Sequence, residues 1–226
     1  MQYIDYYNSI KDKVIKELTF NELAFVHLNA RDYNDIKHGQ IQSVLPLVIG
    51  EIRHAKFYRY SQNFLPLASA FTVLDQLGFC YSRSDIPTYS DINASSIKKS
   101  LYYFCGFSEN DRDTKTLYAL RNSFLHTASC LSKAERPNQP NHSFVFDKNS
   151  DDLIKYPDIP WDGDFNNLNN SMSTIVNPVM LVDLIEASVA NALKYLYDGS
   201  LVVSCDSGKA EFYYRFLKFY SEKNLA

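Results

Sequence analysis

Arg121, Asn122 and His126 lie close together in the run Leu117-Tyr-Ala-Leu-Arg-Asn-Ser-Phe-Leu-His-Thr-Ala-Ser-Cys-Leu131. Each type brings a distinct capacity. Imidazole moves protons near neutral pH, because its unperturbed pKa is about 6.5. Guanidinium stays charged and presents a planar fork that matches phosphate oxygens. A carboxamide can meet a phosphate or hold the imidazole four residues on, one helical turn away. The trio suits proton transfer beside a phosphate.

Such groups need a rigid support. Leu117, Leu120, Phe124, Ala128 and Leu131 recur at helical spacing and predict an amphipathic helix over about 109–132, with Ser108 as N-cap and Asp111 three residues later. At about 100° per residue, Asn122 and His126 fall nearly opposite that stripe, Ser129 joins them, and Arg121 reaches across from its edge. Two other pairs have similar spacing, Arg31 with His38 and Arg136 with His142. The first sits at an apparent helix junction and the second beside Pro137 in a loop, so neither is held on a helix.

The rest of the first two-thirds also reads as helices, at 3–18 and 21–30, at 34–58 with Pro46 and Gly50 as interruptions, at 61–81, and at 94–105 ending at Gly106. Glu135–Asn141 reads as a loop. Ser143–Asp147 and Leu153–Tyr156 suggest a β-hairpin, and 157–173 an irregular stretch. Asn177-Pro178 starts a helix that ends near Gly199, and a last helix covers 208–223. The expected fold is an all-α bundle in one domain over 1–226, with a small β-hairpin insertion at about 135–176.

Composition narrows the function. A 46% hydrophobic, 22% charged chain of 226 residues can bury a sizeable core. Its net charge of −3 argues against sequence-independent nucleic-acid binding over the whole surface, so a nucleic-acid role needs a local basic patch, with Lys98, Lys99, Lys115 and Arg121 as candidates. Seven glycines form no phosphate loop, and no G-x-S-x-G elbow is present. The cysteines Cys80, Cys105, Cys130 and Cys205 have no ligand spacing, which predicts reduced, buried thiols, no zinc site and a cytoplasmic setting. Charges break up Met1–Phe20, and the apolar run Ile41–Ile49 is too short to span a bilayer, so neither a secretory leader nor a membrane anchor is expected.

Arg121-Asn-Ser-Phe-Leu-His126 resembles the R-x(4–6)-H motif of the HEPN superfamily, helical-bundle proteins that include many ribonucleases and toxins. The Asn after the Arg is a common version of the motif. The following loop, hairpin and returning helix are similar to certain bacterial members. That resemblance implies an endoribonuclease needing no metal or other cofactor, acting in anti-phage defence or as a toxin. Arg121, Asn122 and His126 would be catalytic, and two copies would meet across a homodimer cleft. The 2′-hydroxyl of the RNA would attack the adjacent phosphate, leaving a 2′,3′-cyclic phosphate and a 5′-hydroxyl.

It also implies an acidic partner from an earlier helix. Asp75 breaks the apolar run Phe71–Leu77 and is the first choice, with Glu51 second. Ser129 and Lys115 would contact RNA, and Tyr102, Tyr103 and Phe104 could stack bases in single-stranded regions. An antitoxin or other regulatory partner would restrain the activity. The alternative is a non-catalytic HEPN-like interaction module, in which the same residues hydrogen-bond across a dimer interface.

Overall fold

The computed structural model describes residues 1–56, 64–134 and 139–221. Two short helices open the chain, α1 (Tyr3–Ile10) and α2 (Phe20–Leu28). At the start of α2 the Glu22 amide donates to Thr19 Oγ1 while the Thr19 amide donates to Glu22, so two orphan donors are satisfied reciprocally. The chain then turns to strand rather than continuing as helix. β1 (Tyr33–Ile36) and β2 (Gly39–Ser43) form an antiparallel hairpin, and α3 (Val44–Ala55) follows with Pro46 in its first turn.

α4 (Phe64–Cys80) lies at the centre of the bundle; the first three residues of the helix expected over 61–81 are outside the described residues. Leu67, Ala70, Phe71, Val73, Leu74 and Leu77 are all buried. Burial around so much of its circumference marks a helix enclosed by others. β3 (Tyr81–Arg83) leads to α5 (Ser96–Cys105), and α6 (Arg112–Thr127) carries the motif. α5 lies directly against α4 at Gly78, where an added Cβ would come 1.8 Å from the Ser96 carbonyl oxygen.

Beyond α6 come β4 (Leu131–Ser132), β5 (His142–Phe146), β6 (Ile154–Lys155) and β7 (Ser173–Val176). α7 (Pro178–Asp198) starts at the expected Asn177 cap, whose Oδ1 accepts from the Val179 and Met180 amides. Gly106 and Gly199 end α5 and α7 in the left-handed conformation expected of them. β8 (Leu201–Val203), α8 (Gly208–Phe216) and β9 (Leu217–Ser221) complete the described chain.

The all-α expectation is therefore wrong. Eight α-helices share the described residues with nine strands in three sheets, ordered β1-β2-β9, β3-β8 and β4-β5-β7-β6. The region read as helix over 34–58 opens with a hairpin because Asn34, Ile36, Ile41 and Ser43 alternate inward, and β9 pairs along the other edge of β2. The helix expected over 208–223 accordingly stops at Phe216.

The insertion is also more than a hairpin. β5 does not pair with β6; β7 lies between them, parallel to β5 and antiparallel to β6. Residues 135–138 of the expected loop, including Arg136 of one set-aside pair, are outside the described residues. His142, its companion, is buried on β5. Arg31 lies over the Tyr3 and Tyr7 rings, and His38 sits at the tip of the β1–β2 turn.

Candidate active site

The motif helix is shorter than its apolar stripe suggests. Asp111, not Ser108, caps its start, with Oδ1 accepting from the Asp113 amide. Leu117, Leu120 and Phe124 enter the core. The helix stops after Thr127, where Ala128 takes a left-handed φ of 52° and its amide closes onto the Phe124 carbonyl. Ala128 and Leu131 thus fall beyond it, and Leu131 belongs to β4.

Arg121 is the hub of the polar face. Its Nε and Nη2 donate to one oxygen of Asp75 on α4, at 3.1 and 2.6 Å. Its Nη1 donates to Asn122 Oδ1 at 3.1 Å and lies 3.2 Å from His126 Nε2. A guanidinium has no acceptor, so a hydrogen bond between the two requires Nε2 to be the acceptor. His126 is exposed at the surface, while Arg121, Asn122 and Asp75 are half-buried.

The four residues singled out at the head of the sequence-based set thus come together, and Asp75 rather than Glu51 holds the arginine. Glu51 is exposed on α3. Ser129 lies beyond the helix, where its hydroxyl pairs with the Leu131 amide and carbonyl in the turn, so it does not extend the polar face. Lys115 is exposed on α6, about 9 Å along the axis from Arg121 at 1.5 Å per residue. Tyr103 and Phe104 are buried in the core and cannot offer stacking faces; Tyr102 is half-buried with its hydroxyl on the Pro87 carbonyl. Lys99 donates to the Ile92 carbonyl, and Lys98 Nζ stands 4.4 Å from the centroid of the Tyr118 ring.

A pocket of about 490 Å³ opens on the Asp75 side of Arg121. Gln76 and Phe79 of α4, Tyr118 of α6, and Arg215 and Phe216 of α8 form much of its wall. The start of α5 supplies Ser95 and Ser96, which the close approach at Gly78 brings into place. Behind Gln76 lies His27, fully buried, with the Tyr81 hydroxyl on its Nδ1 at 2.7 Å and Gln76 Oε1 near its Nε2 at 3.3 Å. Burial pushes this imidazole down to about 4, against the opposing pull of the Gln76 hydrogen bond, so it is neutral. Tyr81 then donates to Nδ1, and Nε2–H donates to Gln76.

Sequence reasoning missed this pocket. Gln76, beside Asp75 in the same break of an apolar run, was the available signal. Arg215 and Phe216 had none, because only the fold brings the end of the chain to α4 and α6.

Among the described residues, no His, Cys, Asp and Glu side chains group in a way that could hold a metal ion, and no helix is long and apolar enough to cross a membrane. The four cysteines are free; Cys80 is buried, but Cys130 is exposed, contrary to the expectation of buried thiols throughout. Comparison with models of known protein families, with curated proteins and with solved structures finds no match to this chain.

Proposed function

We propose that this chain is a HEPN-type endoribonuclease that cleaves RNA by attack of the RNA's own 2′-hydroxyl. The observation that carries the proposal is the contact of Arg121 with His126 at one exposed spot, with the arginine anchored from behind by Asp75. Asp75 takes one edge of the guanidinium and leaves Nη1 directed at the imidazole. A phosphate arriving at Nη1 would displace that contact and free the Nε2 lone pair. Nε2 could then take the 2′-hydroxyl proton as the 2′-oxygen bonds to phosphorus and the bond to the 5′-oxygen breaks. The products are a 2′,3′-cyclic phosphate and a 5′-hydroxyl end.

The leaving 5′-oxygen needs a proton, and a second copy of His126 across a two-fold axis would supply it. Two Arg121 side chains in one cleft would also give a locally basic groove on a chain of net charge −3. A role in anti-phage defence or as a toxin, under restraint by a partner, fits such an activity.

One observation favours the alternative of a non-catalytic interaction module: Arg121 already has Asp75, Asn122 and His126 as partners within its own chain. Cleavage of total RNA in EDTA separates the readings, using wild type, Arg121→Ala and His126→Ala, each checked for folding and oligomeric state. The expected result is cutting by wild type that falls at least about a hundredfold in both variants, with specific activity rising with protein concentration as dimers form. Variants that change assembly while well-folded wild type cuts no RNA would support the module.

A further inference from the structure

We infer that the pocket beside Arg121 is a base-recognition subsite, holding one unstacked nucleotide of the single strand whose scissile phosphate lies against Arg121 and His126. This deepens the ribonuclease reading and rests on it. Arg121 is shared, since it lines the pocket and touches His126, so a base in the pocket belongs to a nucleotide next to the reacting phosphate. A volume of about 490 Å³ falls within the range of small-ligand sites.

Its chemistry fits a base. Tyr118, Phe79 and Phe216 offer aromatic surface, and Arg215 lies 5.1 Å from the centroid of the Phe79 ring, a cationic plane of the kind on which bases also stack. Arg215 is bound to Glu211 but its side chain is 57% exposed, so it can also meet a phosphate at the rim. Lys98 over Tyr118 adds a further cation nearby.

The wall is rich in donors. Asp75, the carboxylate of the lining, is committed to Arg121. Gln76 has its carbonyl oxygen occupied by buried, neutral His27, which leaves its NH₂ as the end available to a ligand. Ser95 Oγ is sheltered and has no hydrogen-bond partner among the described residues. A wall that donates and has no free carboxylate favours a base edge made of acceptors, such as the O2 and O4 carbonyls of uracil or the N7 and O6 atoms of guanine. Uracil and guanine are therefore preferred over adenine, whose N6 amino group would be a donor left without an acceptor.

The test uses short 2′-O-methyl oligonucleotides, which cannot be cut, in fluorescence anisotropy titrations. Oligo-U is expected to bind wild type about fivefold or more tighter than oligo-A. Tyr118→Leu and Arg215→Gln are expected to weaken oligo-U binding about five- to tenfold and flatten the preference, while Tyr118→Phe retains both. On cleavable RNA the same two variants should raise KM more than they lower kcat. Arg215 is exposed enough that its variant decides the matter should Tyr118→Leu fail to fold.

Equal binding by wild type and both variants, or no preference for oligo-U, overturns the subsite. If wild type nonetheless cuts RNA, the ribonuclease reading survives that loss. Base-selective binding that the variants abolish, without cutting, keeps the subsite and removes the ribonuclease. Neither binding nor cutting removes both.

Discussion

Asp75 fixes the orientation of Arg121, the residue on which the proposed chemistry turns. Both of its contacts to Arg121 use a single oxygen, which fixes the guanidinium edge-on and turns Nη1 toward His126. Both side chains are about three-quarters buried, so the pair is less screened than a surface ion pair, although its net contribution to stability remains about 1 kcal/mol. Its larger effect should be on orientation, which would make Asp75 a positioning residue. Asp75→Asn removes the charge and keeps the shape. Its cleavage rate should fall about tenfold with little change in KM, because a misaligned arginine costs most in the transition state. Thermal unfolding should move by only a few degrees, and Asp75→Glu should recover part of the rate. Cleavage by Asp75→Asn at the wild-type rate would show that Arg121 holds its place without help.

At the scale of elements, the motif helix is defined by how it ends. Ala128 sits two residues past His126 with φ of 52°, a conformation in which a Cβ costs about 1 kcal/mol. Ala128→Gly should raise stability by about 0.5 kcal/mol after the entropy of the extra glycine is deducted, with unchanged RNA cutting. A higher urea midpoint at constant m-value would confirm it, whereas a lower midpoint would mean that the alanine methyl makes a contact worth more than the strain. Other helix ends show what could be read from sequence. Asn177-Pro178, Gly106 and Gly199 act through local chemistry, and all three behave as their types dictate. Asp75 was legible because a carboxylate inside an apolar run must find a partner. Of the strands, β5 and β6 were legible at Ser143–Asp147 and Leu153–Tyr156, but their pairing and the other strands were not, because β2 takes β9 from residues 217–221 and β5 takes β7 across about thirty residues. Short strands owe their existence to such partners, and nothing within Gly39–Ser43 or Leu217–Ser221 names the other. The apolar stripe likewise continues past Thr127, because Ala128 and Leu131 keep helical spacing although the helix has ended.

For the whole molecule, two buried histidines at different places in the fold couple stability to pH. His27 lies behind the pocket, and His142 lies on β5 with Nδ1 3.0 Å from Thr174 Oγ1 and Nε2 buried without a partner among the described residues. Burial holds each imidazole down at about 4, with the charge of Arg112 adding to the effect at His142. In the unfolded chain both titrate near 6.5. Below that value the unfolded state takes up protons that the fold refuses, so their contribution to stability is complete above pH 6.5 and is lost as pH falls toward 4. At 1.36 kcal/mol per unit the loss is about 3 kcal/mol for each group across that window. The urea midpoint should therefore be highest above pH 7 and fall steadily through pH 5.5 to 4.5. His142→Gln should start lower at pH 7.5, having lost native packing, yet show a shallower decline. Parallel curves for wild type and variant would rule out His142 as a source of the slope. The functional consequence bears on how the candidate site is assayed. Any activity at the candidate site falls with pH through this loss of fold as well, so its pH profile is read only where the fold, already weakened by His27 and His142, is still fully populated.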